Sequence, residues 1–217
     1  MAIDDHALTT TEHSPVAGLA HDPRGGISNV VLGMLLFITS EVMFFAGLFA
    51  AYFNVRANAP AWPPVNVETG EPFHLEILPL VGPATVLLIL SSFTCQFAVW
   101  AIRRGDRTAF IRNIAVTFII GVVFLLMQAT DYVALGNEGI TLASGTFGTT
   151  YFTLTGFHGA HVFGGAIMLA VVLYRGLAGQ FSARHHDAVE AVSLYWHFVD
   201  VVWILLFSLL YLLPGKV

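Results

Sequence analysis

The sequence is poor in charge and nearly devoid of cysteine. Only 11% of its 217 residues are Asp, Glu, Lys or Arg, and Cys95 is the single cysteine. One cysteine excludes a disulfide within the chain, and without a cluster of Lys and Arg, nucleic acid is not an expected partner. Residues 1–27 lack a basic stretch followed by an apolar one, so no secretory signal peptide is predicted there.

What the chain has in excess is hydrophobic sequence. Hydrophobic residues make up 56% of it, and its mean hydropathy is +0.75. Five apolar segments each contain the roughly 20 residues that a membrane-spanning helix needs, and they cover residues 28–55, 79–102, 111–135, 150–174 and 189–212. We therefore predict an all-α bundle of five transmembrane helices in one domain, residues 28–217, after a flexible tail, residues 1–27.

The basic residues are distributed unevenly over the ends of these segments. The N-terminal tail, the second loop and the fourth loop hold seven of them: Arg24, Arg103, Arg104, Arg107, Arg112, Arg175 and Arg184. The opposite side holds only Arg56 and Lys216. Because basic residues near a span are retained in the cytoplasm, this bias predicts a cytoplasmic N-terminus and a C-terminus outside the cell membrane.

Three predicted spans carry ionisable side chains near their middle. Glu41 lies in the first span, His158 and His161 in the fourth, and His197 and Asp200 in the fifth. Each of these pairs is three residues apart and shares one helix face, so His197 and Asp200 can bond each other within the helix. Hydrocarbon penalises a bare charge, so we expect Glu41 to be protonated or hydrogen-bonded.

Two further patterns concern helix packing. Gln128 and Asp131 repeat the three-residue spacing near the outer end of the third span. Gly156, Ala160 and Gly164 recur every four residues in the fourth span. A stripe of small residues lets a second helix approach closely, so we predict a helix–helix contact along it.

The intramembrane polar residues fit two hypotheses, a metal site and a set of interhelical hydrogen bonds. Di-iron bundles use four Glu and two His, with Glu-x-x-His on two helices, but this pattern is missing and Glu41 is the only Glu well inside a span. Three intramembrane histidines are also too few for two haems and a copper. We therefore predict no metal, no redox centre and no catalytic residue in this chain, and hydrogen bonds worth about 0.6–2 kcal/mol each.

Four motifs, spread in order along the chain, give it a family resemblance. They are SEVMFFAGLFAAYF in the first span, WPP in the first outer loop, TGFHGAHVFGG in the fourth span and YWHFVDVVW in the fifth. Together they resemble subunit III of cytochrome c oxidase, in the five-helix bacterial form that lacks the first two helices of the seven-helix subunit. Asp131 stands where that family commonly has Glu.

The resemblance implies a subunit without haem or copper that packs directly on subunit I of a haem-copper oxidase. Subunit I reduces oxygen to water and pumps protons in aerobic respiration. Subunits II and IV of the same complex are further implied partners, and a supercomplex with a cytochrome bc complex is left open. The implied location is the bacterial plasma membrane.

The resemblance also assigns roles to individual residues. It implies that Phe37, Glu41 and Arg175 line a site for phospholipid, and an Arg at the cytoplasmic end of a span can pair with a lipid phosphate. In the family, subunit III lies near the entrance of a proton-uptake path. Histidine exchanges protons close to neutral pH, so His185 and His186 are predicted to form a proton-collecting surface.

Two alternatives stay open at this stage. One is subunit III of a quinol oxidase, although Glu41 and the WPP loop favour the cytochrome c type. The other is a stand-alone membrane metalloenzyme or proton transporter. Metal content and copurification with haem-bearing subunits separate these alternatives from the leading one.

Overall fold

The computed structural model describes residues 26–59, Trp62 and residues 80–213. Five helices in these residues are long and apolar enough to cross a membrane, which confirms the predicted fold class. They are α1 (Asn29–Asn58), α2 (Gly82–Arg103), α3 (Arg107–Asn137), α4 (Thr146–Leu177) and α5 (Asp187–Phe207). One π-helical turn, Ser208–Leu212, continues α5. The predicted tail, residues 1–27, lies outside the described residues except for its last two.

Helices α1, α3 and α4 are longer than the apolar segments that predicted them. α3 begins at Arg107, four residues before the predicted start of the third span. The side chain of Asp106 accepts a hydrogen bond from the backbone nitrogen of Ala109 at 2.9 Å, so the helix begins at a polar N-cap. A hydropathy pattern does not detect such a cap. Of the predicted basic loop, only residues 104–106 connect α2 to α3.

Helices α2, α3, α4 and α5 form a ring in which each helix packs against its two neighbours. α1 lies outside this ring, against α5 and α4. It is anchored near its C-terminal end, where the hydroxyl of Tyr52 donates to the carbonyl oxygen of Leu209 at 3.0 Å. Tyr52 and Phe45 are the only two buried residues of α1. The other residues of this helix are half-buried or exposed.

The ring closes around the indole of Trp196, which comes from α5 and is fully buried. Its Nε1 donates to Ser91 Oγ of α2 at 2.9 Å. The ring of Trp196 lies so close to Gly121 of α3 and Gly165 of α4 that a Cβ at either glycine would come within 3 Å of it, at 2.6 and 2.9 Å. One side chain thus contacts all three other helices of the ring.

The predicted stripe of small residues does not mark the closest helix contact. A Cβ at Gly156 or Gly164 would meet a tyrosine hydroxyl at an ordinary 3.8 or 3.6 Å, and Ala160 is exposed. Closer approaches are made one residue to either side of stripe positions: a Cβ at Gly159 would lie 2.6 Å from Gln128 Oε1, and one at Gly165 would lie 2.9 Å from the ring of Trp196. The prediction that small residues of α4 let another helix approach closely was right, but the glycines that do so are not the members of the predicted stripe.

Candidate functional site

Glu41 and His161 form a polar pair between α1 and α4. Glu41 Oε2 lies 2.8 Å from His161 Nε2, and both side chains are mostly shielded. His161 Nδ1 donates to the carbonyl oxygen of Phe157 at 2.6 Å. Nε2 therefore either accepts from a neutral Glu41 carboxyl or, in the imidazolium, donates to the carboxylate, and the pair has no net charge in both cases. The expectation that Glu41 is hydrogen-bonded is confirmed.

Aromatic side chains of α1 and α5 lie next to this pair. The rings of Phe44 and Phe45 lie 6.0 and 4.9 Å from the imidazole of His161, centre to centre. Tyr195 of α5 donates its hydroxyl to the carbonyl oxygen of His161 at 3.1 Å and stacks on Phe37 at 6.0 Å. Phe37 keeps 47% of its surface exposed. The structure therefore brings Phe37 and Glu41 together, as predicted, on an aromatic surface that is open on one side.

Arg175 lies apart from this pair. It follows His161 by fourteen residues along α4, which at 1.5 Å per residue is about 21 Å. Its Nε donates to Gln180 Oε1 at 2.9 Å, and its guanidinium lies over the ring of Phe181 at 4.8 Å. The three predicted lipid-site residues thus occupy two places along one side of the molecule, not one pocket.

His197 and Asp200 are joined through a third residue that the sequence analysis did not single out. The hydroxyl of Ser92, on α2, donates to Asp200 Oδ2 and also lies 3.0 Å from His197 Nδ1. Among the described residues no hydrogen bond joins His197 to Asp200 directly, so the predicted bond within the helix is replaced by a bridge between helices. His197 Nε2 reaches Gln96 Oε1 at 3.4 Å.

His158 makes no interhelical hydrogen bond with the described residues, contrary to the role predicted for it. It is fully buried, and both ring nitrogens lack a partner there. Its ring instead stacks on Trp203 of α5 at 4.9 Å and meets the ring of Phe124 of α3 edge-on at 5.9 Å. This histidine orients its helix by packing, since an aromatic pair is favourable beyond its buried area.

Gln128 and Asp131 each bond to α4, which agrees with their predicted structural role. Gln128 Nε2 donates to the carbonyl oxygen of Thr155 at 2.8 Å. Asp131 Oδ2 accepts from the hydroxyl of Tyr151 at 3.0 Å, and that hydroxyl lies 2.6 Å from the hydroxyl of Tyr211. Both residues of α3 therefore hold α4, and Asp131 also reaches the π-helical turn.

The two histidines predicted to collect protons lie in the loop before α5 and differ in their surroundings. His185 is exposed. The Nε2 of His186 lies 3.0 Å from Glu190 Oε1, and Arg103, at the end of α2, donates to the same oxygen from Nη2 at 2.7 Å. Glu190 thus links the end of α2 to the start of α5 and holds His186 beside a carboxylate.

Neither a cluster of metal ligands nor a nucleophile–base pair was predicted, and the described residues contain no group of three or more His, Cys, Asp or Glu that could hold a metal ion. Sequence reasoning missed Ser92, Tyr195 and Glu190. Ser92 had one available signal, since it is part of a Ser-Ser pair in the middle of an apolar span. Tyr195 and Glu190 gave none, because each bonds to a different helix or loop.

The sequence matches the cytochrome c oxidase subunit III family over residues 21–214. The chain belongs to this family. A protein of Mycobacterium tuberculosis named probable cytochrome c oxidase subunit 3 is 43% identical over 183 residues, which are 84% of this chain and 87% of that protein. Cytochrome c oxidase subunit 3 of Corynebacterium diphtheriae is 43% identical over 182 residues, with the same shares.

Family membership extends beyond bacteria. Cytochrome c oxidase subunit 3 of Cyprinus carpio is 40% identical over 185 residues, which are 82% of this chain and 67% of the carp protein. As a member of the subunit III family with five membrane-spanning helices, the chain is a multi-pass membrane protein and a component of a multi-subunit oxidase complex.

Proposed function

We propose that the chain is the non-catalytic subunit III of a haem-copper oxidase that accepts electrons from cytochrome c. Its work is to hold phospholipid against subunit I and to keep proton uptake and turnover steady. The match over residues 21–214 carries this proposal. The names of its relatives favour cytochrome c over quinol as the electron donor, and their bacterial sources favour the bacterial plasma membrane.

The lipid role is supported by the distance between its two groups of residues. About 21 Å separates His161, and with it Glu41, from Arg175 along α4. Half of a bilayer of about 40–45 Å, headgroups included, is the same length. A phospholipid with its phosphate at Arg175 would lay its acyl chains toward Glu41 and cross Phe37 on the way. The site we propose is therefore one leaflet deep.

Orientation is part of the same proposal. With the N-terminus in the cytoplasm, Arg175, His185 and His186 all lie on the cytoplasmic side, where protons are taken up. A cysteine introduced at Arg104, in the α2–α3 connection, should be labelled by a membrane-impermeant maleimide only in inverted vesicles. Labelling in intact cells would reverse the topology and remove the proton-uptake role.

Proton collection is supported by the position of His185 and by the carboxylate next to His186. The exposed imidazole of His185 is open to water, and the carboxylate of Glu190 places a second proton-accepting group 3.0 Å from His186 Nε2. We propose that this surface supplies protons to subunit I at high pH, where free protons are scarce.

The test is removal of the chain from the purified oxidase, followed by reconstitution with the wild-type chain or a His185→Gln/His186→Gln variant. The haem spectrum should be unchanged by removal, because no redox centre is assigned to this chain. Oxygen consumption should begin normally, then decay during turnover, and decay faster at high pH.

The wild-type chain should restore steady turnover at both pH values. The double variant should restore it less at high pH than at low pH. A lost haem signal contradicts the non-catalytic assignment, and full rescue by the double variant at high pH contradicts the histidine surface while leaving the lipid role intact.

A further inference from the structure

A small cavity lies inside the ring of helices, at the end where α2 begins and α3 ends. Its volume is about 20 Å³. Five polar side chains line it, namely Gln128, Asp131, Tyr151, Thr155 and Tyr211, and the remainder of its wall is apolar. A cavity needs only about 10–15 Å³ to hold a water molecule, provided that it offers polar partners. This one is large enough and has partners on two sides.

The first side is a chain of hydrogen bonds through Gln128. Thr155 Oγ1 donates its only proton to the carbonyl oxygen of Tyr151 at 2.8 Å, so in its 2.7 Å contact with Tyr132 the tyrosine is the donor. Gln128 Nε2 donates to the hydroxyl of Tyr132 at 3.3 Å and to the carbonyl oxygen of Thr155 at 2.8 Å. Every polar side-chain proton of Gln128, Tyr132 and Thr155 is therefore already donated in a hydrogen bond.

The second side is a chain through Asp131. Tyr151 donates its hydroxyl proton to Asp131 Oδ2 at 3.0 Å. The 2.6 Å contact between Tyr151 and Tyr211 then requires Tyr211 to donate. The hydroxyl protons are again in use, while lone pairs on the carboxylate of Asp131 and the hydroxyl of Tyr211 stay available.

Both chains border one cavity, yet no hydrogen bond between side chains joins them among the described residues. Each of the two hydrogen-bond chains therefore presents only hydrogen-bond acceptors to the cavity. A bound molecule must therefore be small, neutral and able to donate two hydrogen bonds. A hard cation such as Ca²⁺ requires six to eight oxygen ligands, and this wall has too much apolar surface for that.

We propose that this cavity is a binding site for one ordered water molecule, which donates to the Asp131 chain and to the Gln128 chain and joins them into a single network. The network then connects α3 and α4 to the π-helical turn through Tyr211. This site is independent of the lipid and proton-collecting roles proposed above.

The test is a cryo-electron microscopy map of the intact oxidase at a resolution that shows waters in the partner subunits. We expect one peak within about 2.7–3.2 Å of the Asp131 carboxylate and within the same distance of a polar atom of the Gln128 chain. In Asp131→Glu the carboxyl group reaches one methylene further into the cavity and occupies the space of the water, so the peak should disappear.

The matched control is Thr130→Ala, one residue away on α3. Thr130 is exposed, and among the described residues its hydroxyl bonds only the carbonyl oxygen of Met127 in its own helix, so this variant should keep the peak. The wild-type map decides the matter without either variant. A cavity without a peak, or one filled by an acyl chain, overturns the proposal, and so does a peak with the short, many-oxygen coordination of a metal ion.

Discussion

Helices α1 and α5 are both apolar enough to span a membrane, yet they occupy opposite positions in the packing. α5 buries eleven of its 21 residues, whereas α1 buries two of its 30. The α1 surface includes Met43, which is 73% exposed. In water such an exposed apolar helix would be unfavourable. In a bilayer, however, it is covered by lipid or by another subunit. Hydropathy therefore indicates that both helices lie in a membrane. Which of them forms the core of the bundle is seen only from the contacts between helices.

The largest effect is expected where α5 is packed most tightly. Gly121→Ala places a methyl group 2.6 Å from Trp196, whose buried indole cannot move aside. Overpacking of this kind costs about 1–3 kcal/mol. The matched change on α1 is Gly47→Ala, which meets nothing within 4 Å and should be neutral or slightly stabilising.

The measurement is the temperature at which each variant chain unfolds in the purified oxidase. A shift of about 2–4 °C per kcal/mol is expected for a chain of this size. If Gly47→Ala lowers the melting temperature as much as Gly121→Ala, then α1 is packed as tightly in the complex as α5 is in the ring, and the contrast between the helices fails.

A similar or smaller loss is expected from Ser92→Ala. The substitution removes the donor to Asp200 Oδ2, while Asp200 Oδ1 already has no partner among the described residues. A buried polar group left unsatisfied costs about 1–3 kcal/mol. Ser40→Ala on α1 is the control. The Ser40 hydroxyl is exposed, and among the described residues it bonds only the carbonyl oxygen of Phe37 at 2.7 Å, so a change within about 0.5 kcal/mol is expected. Equal melting temperatures for the two variants would show that the bridge between α2 and α5 contributes nothing.

The smallest effect on stability, and the one that bears on lipid, is expected from Arg175→Ala. The side chain contacts Gln180 and Phe181 near the surface, so little stability should be lost. One tightly held phospholipid should disappear from the purified complex, as measured by lipid phosphorus per haem. Arg184→Ala removes the same charge from an exposed position in the next loop and should leave the lipid count unchanged. Equal lipid counts in wild type and Arg175→Ala would rule out the lipid site at this residue.

The sequence was sufficient for the fold because a bilayer allows few alternatives to long apolar helices. It was insufficient for the partners of polar residues. By their spacing, His158 and His161 share a helical face, but two residues three apart still point about 60° away from each other around the helix. This difference is enough to place His158 inside the ring and His161 against α1. Likewise, spacing pairs His197 with Asp200, whereas the partner of both is Ser92 on another helix. Such partners depend on how helices rotate against each other, which no local pattern encodes.

The position of Trp196 also has a consequence for biogenesis. A ribosome makes α2, α3 and α4 before α5, so these three helices reach the membrane while the space beside Gly121 and Gly165 has no side chain to fill it. Until α5 is made, Ser91 lacks the hydrogen bond from the indole, and Gly121 and Gly165 lack the ring that packs on them. The ring therefore cannot close until its last helix is made, and α5 determines when the other three helices take their final places.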